Sequence, residues 1–240
     1  MIVSPNLILD IVYNFAYNIK MNLADLAVNV LQHRQSTPDA VAEALRQAIL
    51  LGIFKAGQSL RQDEIATQFG ISRIPVREAL RQLEAEGLVR LYPNRGATVS
   101  VLSAAEAQEI CEIRIALETL ALQLAIANLT EADIQRAIAI LEATDQATDP
   151  RHWTELNWEF HATLYTSAHR PRLLTMIKTL HINVDRYIRL QMMQMNYQEQ
   201  SQTEHWKLLE VCKQRDMNKA IDILKHHIAT AAEQLVAHLR

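Results

Sequence analysis

Glycine and proline are scarce in this 240-residue chain, at five and six residues. That scarcity argues against a loop-rich or all-β fold and for long helices. Cysteine is scarcer still. Cys111 and Cys212 lie far apart, each beside apolar residues in a helical pattern, and read as buried free thiols in a reducing cytosol rather than a disulfide. No apolar run reaches the roughly eighteen residues needed to span a bilayer, so no membrane partner is expected. An excess of positive charge is missing too: the formal net charge is −3, which excludes a generally basic protein that coats any duplex. What the chain has in quantity is hydrophobic residues, 49% of the total. That is ample for a core, and the length allows two domains or one large one.

The first twenty residues, Met1 to Lys20, are moderately apolar but interrupted by Asp10. With no basic start and no small-residue cleavage site, they do not read as a signal peptide. Two readings stay open: Met21 is the natural start, or the segment is an extra helix packed on a partner subunit.

Charge is uneven along the chain. Residues 70 to 97 hold five arginines (73, 77, 81, 90, 95) and three acids (78, 84, 86), so the remainder is acidic by a wider margin than the total suggests. The basic stretch has its own local grammar. A short helix from about Gln62 ends at Gly70, which tolerates a left-handed backbone. Ser72 is a good N-cap for the next helix, and Pro75 falls in its first turn, where a missing donor does little harm. Val76, Ala79, Leu80 and Leu83 make a buried stripe, while Arg73, Arg77 and Arg81, four apart, share another face. Gly87 stops the helix. A strand over 88–91, a turn at Pro93-Asn94-Arg95-Gly96 and a return strand over 97–101 then form a hairpin. A helix, a tight turn, an arginine-bearing helix and a basic wing in that order predict a winged helix-turn-helix that seats its second helix in the major groove. Arg95 at the wing tip suits a minor groove, and Gly96 would let the backbone approach closely. Arginines every four residues more often mark a solvated face; the turn, cap and wing around them weigh against that here.

These residues resemble a known family. From about Val41 to Val101 the chain is similar to the winged-helix domain of the GntR family of bacterial transcription regulators. The resemblance rests on Ser72-Arg73-Ile74-Pro75-Val76-Arg77-Glu78-Ala79-Leu80, Leu83-Glu84-Ala85-Glu86-Gly87-Leu88-Val89 and Pro93-Asn94-Arg95-Gly96-Ala97. It implies that Arg73, Arg77, Arg95 and Gly96 contact DNA and that Ser72 helps hold a phosphate. Many members carry an arginine in the first helix of the motif where this chain has Asp63; neighbouring Arg61 is the candidate replacement.

Beyond Leu102 the pattern is helical throughout. Ser103-Ala104-Ala105-Glu106 reads as a capping box for a helix to about Asn128. Thr130 caps a second, to about Ala147. Pro150 opens a third, ending near His169, and Pro171 a fourth, to about Met195. A fifth runs from about Gln198 to Arg215, and Asp216 caps a sixth. The expected fold is therefore mainly α. An N-terminal extension (1–37) precedes a winged helix-turn-helix with a small β-hairpin wing (38–102), and an antiparallel six-helix bundle follows (103–240).

This second half resembles the ligand-sensing domain of the FadR-type branch of the same family. The matching pieces are Ile113-Arg114-Ile115-Ala116-Leu117-Glu118, Phe160-His161-Ala162-Thr163-Leu164-Tyr165, Pro171-Arg172-Leu173-Leu174, Glu204-His205 and His227-Ile228. Many such domains hold a divalent metal with an aspartate and three histidines. The resemblance places the histidines at His161, His205 and His227, and the fourth ligand at Asn157. Three imidazoles suit zinc or nickel. A neutral amide in place of the acid should weaken the site, or leave room for a ligand's carboxylate. His169 stands where the family commonly has glycine. Arg114, inside an apolar helix, reads either as an ion-pair partner of Glu118 or as a clamp for a carboxylate effector.

The function these readings imply is a cytoplasmic, ligand-responsive transcription regulator, most often a repressor in this family. It would bind a near-palindromic operator on double-stranded DNA as a homodimer and respond to a small organic acid. The rival is a metal-dependent helical-bundle enzyme with an accessory winged helix. Against it, the chain has no Glu-x-x-His pair of the di-iron type and no His-Glu-x-x-His motif. A winged helix serving protein contacts alone is the third option, disfavoured by the basic wing tip.

Overall fold

The computed structural model describes residues 36–92, 96–192 and 197–239. The chain divides into two compact units between Val101 and Leu102.

The first described element of the first unit is α1 (Thr37–Leu50). The Ser36 side chain accepts from the Asp39 amide, and a proline sits in the first turn, where helices tolerate it. α1 buries Val41, Ala44, Leu45 and Ala48 against α3 (Arg73–Ala85). That contact is locked at its rim, where the Arg46 guanidinium grips both oxygens of Glu86, at 2.7 and 2.6 Å. A forked donor on a carboxylate fixes direction as well as distance, so the far end of α3 is held in place.

Between them lie β1 (Ser59–Leu60) and α2 (Gln62–Phe69). α2 ends at Gly70, in the left-handed region at φ 64°. α3 buries Val76, Ala79, Leu80 and Leu83 completely, the stripe read from the sequence. β2 (Val89–Tyr92) and β3 (Gly96–Val99) follow. The sheet is antiparallel with order β1-β3-β2, Val89 opposite Val99 and Ser59 opposite Thr98. The expected hairpin is thus a three-stranded sheet whose strands start and stop one or two residues away from the expected limits. β1 is two residues long, too short to show an alternation of polar and apolar side chains.

The second unit holds α4 (Ala104–Ala125), α5 (Glu131–Gln146), α6 (Pro150–Thr166), α7 (Pro171–Met192), α8 (Tyr197–Lys213) and α9 (Met217–His238). α4 packs on α9, α5 on α6, and α8 on both α9 and α5. Phe160, Leu164, Ile177, Leu208 and Leu224 meet in the core. Ser103 accepts from the Glu106 amide. Thr130 and Asp133 cap α5 reciprocally, each side chain bonded to the other's backbone amide. α4 stops at Ala125 rather than Asn128, and α6 at Thr166 rather than His169. His169 adopts φ 53°, the conformation in which glycine is unstrained. That accounts for the glycine common at this position in the family. No described helix is long and apolar enough to cross a membrane.

Candidate DNA-binding surface and buried histidine cluster

The N-terminal part of α3 is where a helix-turn-helix meets base edges. Arg73 and Arg77 in its first two turns, and Arg81 one turn further on, are all exposed on a face beside the buried stripe, and Ile74 next to Arg73 stands 59% exposed. Ser72 occupies the N-cap position with extended backbone, but its hydroxyl makes no cap bond. The expected cap is therefore present in backbone conformation only. Arg61, the N-cap of α2, pairs with Glu64 one turn on, at 3.1 Å. Asp63, the residue flagged as a departure from the family pattern, forms an ion pair with Arg73. Gly96 adopts φ 84°, and a Cβ there would come within 3.1 Å of the Leu60 carbonyl, so strand pairing alone demands glycine. Arg95 lies outside the described residues, as does the N-terminal segment 1–35.

The second unit brings His161 of α6, His205 of α8 and His227 of α9 together, with one donor atom of each within 4.8 Å of the other two. All three are buried. Each presents Nδ1 to an outer partner. His227 Nδ1 donates to Glu204 Oε2 at 2.8 Å, since an ionised carboxylate only accepts. His205 Nδ1 lies 3.4 Å from Gln202 Oε1, whose amide nitrogen is committed to the Leu141 carbonyl. The Tyr165 hydroxyl donates to Glu118 Oε2 at 2.8 Å, so at 3.2 Å it accepts from His161 Nδ1. These bonds put the ring protons on Nδ1 and leave lone pairs on Nε2. His205 Nε2 and His227 Nε2 then face each other at 3.2 Å. Two lone pairs at that distance repel unless a cation lies between them.

Electrostatics follow from this burial. Desolvation, then the neighbouring imidazoles, hold His161 well below the usual histidine range. Desolvation and His227 do the same to His205. Burial pushes the Tyr165 hydroxyl well up, and Glu118 pushes it further. Burial alone would raise the Glu204 carboxyl, but its bond to His227 outweighs that and keeps it low.

Arg114 is buried, and its Nε donates to Glu118 Oε1 at 2.7 Å. Burial opposes its charge and Glu118 more than restores it. Arg114, Glu118, Tyr165 and His161 therefore form one continuous chain of contacts. Asn157 lies one turn before His161 on α6, 9% exposed, and its Oδ1 is buried with no hydrogen-bond partner among the described residues. His226 and Glu159 are exposed, unlike the three clustered histidines. Both cysteines are free and buried; burial pushes the Cys212 thiol up to about 12.

The supporting residues were only partly visible in the sequence. Tyr165 is four after His161 and Gln202 three before His205 on their helices, a spacing that places them beside those histidines. Glu204 bonding to His227 crosses between helices and leaves no such trace.

Among the described residues, a winged unit of three helices and a small sheet, followed by a six-helix bundle with a polar centre, defines a class: transcription regulators that join a DNA-binding module to a helical one. The comparisons agree. The family described as "Bacterial regulatory proteins, gntR family" matches residues 37–99, and "FCD domain" matches residues 109–230. The chain belongs to the GntR family and carries an FCD domain.

Among its relatives, the HTH-type transcriptional regulator YdhC of Bacillus subtilis is 34% identical over 143 residues. That match covers 58% of this chain and 63% of the relative, under two thirds of its length. The gluconate operon transcriptional repressor of Bacillus licheniformis is 30% identical, with 66% of each chain covered. The solved structure of E. coli McbR/YncC matches 86% of this chain and 100% of its own, at 25% identity and a TM-score of 0.74.

Proposed function

We propose that this transcription regulator is a repressor that binds a near-palindromic operator as a homodimer and answers to a small organic acid. On this reading residues 38–102 are the DNA-binding domain and 103–240 the sensing domain, working in the cytoplasm; 1–37 is an extension. The observation that carries it is the row Arg73, Arg77 and Arg81, exposed on a helix whose other side is wholly buried. Arg73 and Arg77 reach base edges from α3. Arg61, Ser72, Arg95 and Gly96 approach the phosphates and the wing's groove. A relative named as an operon repressor supports that sign of control.

In the helical unit, the residues fit a divalent metal. The outward Nδ1 bonds of all three histidines and the 3.2 Å approach of two Nε2 atoms offer three nitrogens to a cation, and Asn157, one turn before His161 with an unpartnered buried Oδ1, is the proposed fourth ligand. Zinc or nickel suits that set. When bound, the metal would supply positive charge for an effector carboxylate. Asn157, being neutral, would leave more of that charge uncompensated than an acid would. Arg114, its charge balanced by Glu118 at 2.7 Å, clamps the effector's carboxylate if the acid displaces Glu118.

Alanine at Arg73 and at Arg77 tests the DNA half. Each substitution is expected to weaken specific binding by about 1–3 kcal/mol, read in a mobility-shift titration. Full affinity in the double variant would reject the assignment.

A further inference from the structure

The geometry points to Asp63 as a specificity-determining residue of the DNA-binding surface. Its carboxylate holds the flank of the Arg73 guanidinium, so that Arg73 turns its fork to a guanine and is withheld from backbone phosphates. The inference rests on the DNA-binding role given to α3 above.

Two observations carry it. Arg73 is the first residue of α3, at the end of a recognition helix that meets base edges, and its nearest approach to Asp63 Oδ1 is through Nε, the side of the guanidinium rather than its tip. Both side chains are nonetheless open to solvent, Arg73 at 71% and Asp63 at 53%. The pair is therefore a contact made at the docking surface rather than a buried tie inside the fold. Asp63 lies in the first turn of α2, and a second acid of that turn, Glu64, pairs with Arg61 at 3.1 Å. Two basic residues assigned to the DNA thus already have carboxylate partners.

An unpaired arginine is drawn to any phosphate, and that attraction carries no sequence information. A phosphate approaching the Asp63–Arg73 pair meets a carboxylate as well as a guanidinium, and the two anions repel. The O6 and N7 acceptors of guanine are neutral. They match the two-pronged end of an arginine and do not repel Asp63. The pair therefore favours base acceptors over phosphates. Holding one flank of the guanidinium also lowers the side-chain freedom lost on docking. An acid in the first turn of a helix also stabilises that helix, but such a role would leave base preference untouched.

The test compares the full-length wild type with Asp63→Asn, Asp63→Glu and Arg73→Lys. Each is used to select from a pool of randomised duplexes, and each is titrated against a fixed duplex of unrelated sequence over a series of salt concentrations. The wild type should enrich a guanine at one position of each half-site. Asp63→Asn should lose that preference by about tenfold while binding the unrelated duplex more tightly. Its logarithmic salt dependence should steepen by about 0.9, one extra phosphate neutralised. Asp63→Glu, which keeps the charge, should retain the guanine. Arg73→Lys, which loses the fork, should not. Thermal melting of each variant confirms that it is folded. If Asp63→Asn keeps the wild-type preference at every position, or its salt dependence is unchanged, the inference is overturned while the DNA-binding reading stands. A wild type that enriches no sequence overturns both.

Discussion

Single side chains predict how the histidine cluster should respond to protons. Burial and mutual repulsion depress His161 and His205 below the value they have in the unfolded chain. Below about pH 6.5 the unfolded chain therefore binds protons that the folded one refuses. Stability of the metal-free protein is complete above that pH and falls as pH drops through it, by up to about 1.4 kcal/mol per pH unit for each of the two groups. Thermal melting from about pH 7.5 to about pH 5.5 should show a steadily falling midpoint, and added zinc should raise the midpoint near neutrality through binding to the folded state alone. His161→Ala should flatten the pH dependence and abolish the zinc effect. A wild-type midpoint indifferent to both pH and zinc would remove the site. At this scale the sequence was informative where a family position existed, at His161, His205 and His227. It was silent where a partner comes from another helix, as Glu204 does for His227.

Elements were legible where a local rule was applied; α1, capped by Ser36 with a proline in its first turn, carries the same signals but was not singled out. The stripe Val76, Ala79, Leu80 and Leu83 is buried as its spacing requires. Ser103, Thr130 and Asp216 accept backbone amides at the starts of α4, α5 and α9. Where tertiary contacts decide, the sequence was mute. β1 exists because Ser59 and Leu60 pair with Thr98 and Ala97, and nothing within two residues announces that. Ser72 shows the converse, a strong cap residue with the right backbone and no cap bond. The reciprocal cap of α5 gives a measurable consequence. Thr130→Ala removes the acceptor for the Asp133 amide and one hydrogen-bond partner of the Asp133 carboxylate. It should cost about 1 kcal/mol, seen as a lower urea midpoint with an unchanged slope. No change in midpoint would show that the box contributes nothing to the folded state.

On the proposed function, an anion bound by the helical unit changes the affinity of the winged unit for DNA. A small acid can shift that affinity only by binding one arrangement of the protein better than another, and the coupling is reciprocal. The chain's net charge of −3 suits the proposed task, because a mildly acidic protein is not held on every duplex by charge alone. The most direct measurement is fluorescence anisotropy with a labelled duplex from the DNA flanking its own coding region. The zinc-loaded protein is titrated in excess random competitor, with and without each of a panel of small carboxylic acids. Binding should saturate, survive the competitor and change at least about fivefold with one acid. A protein that binds this duplex no better than the competitor, or whose binding no acid alters, would contradict it.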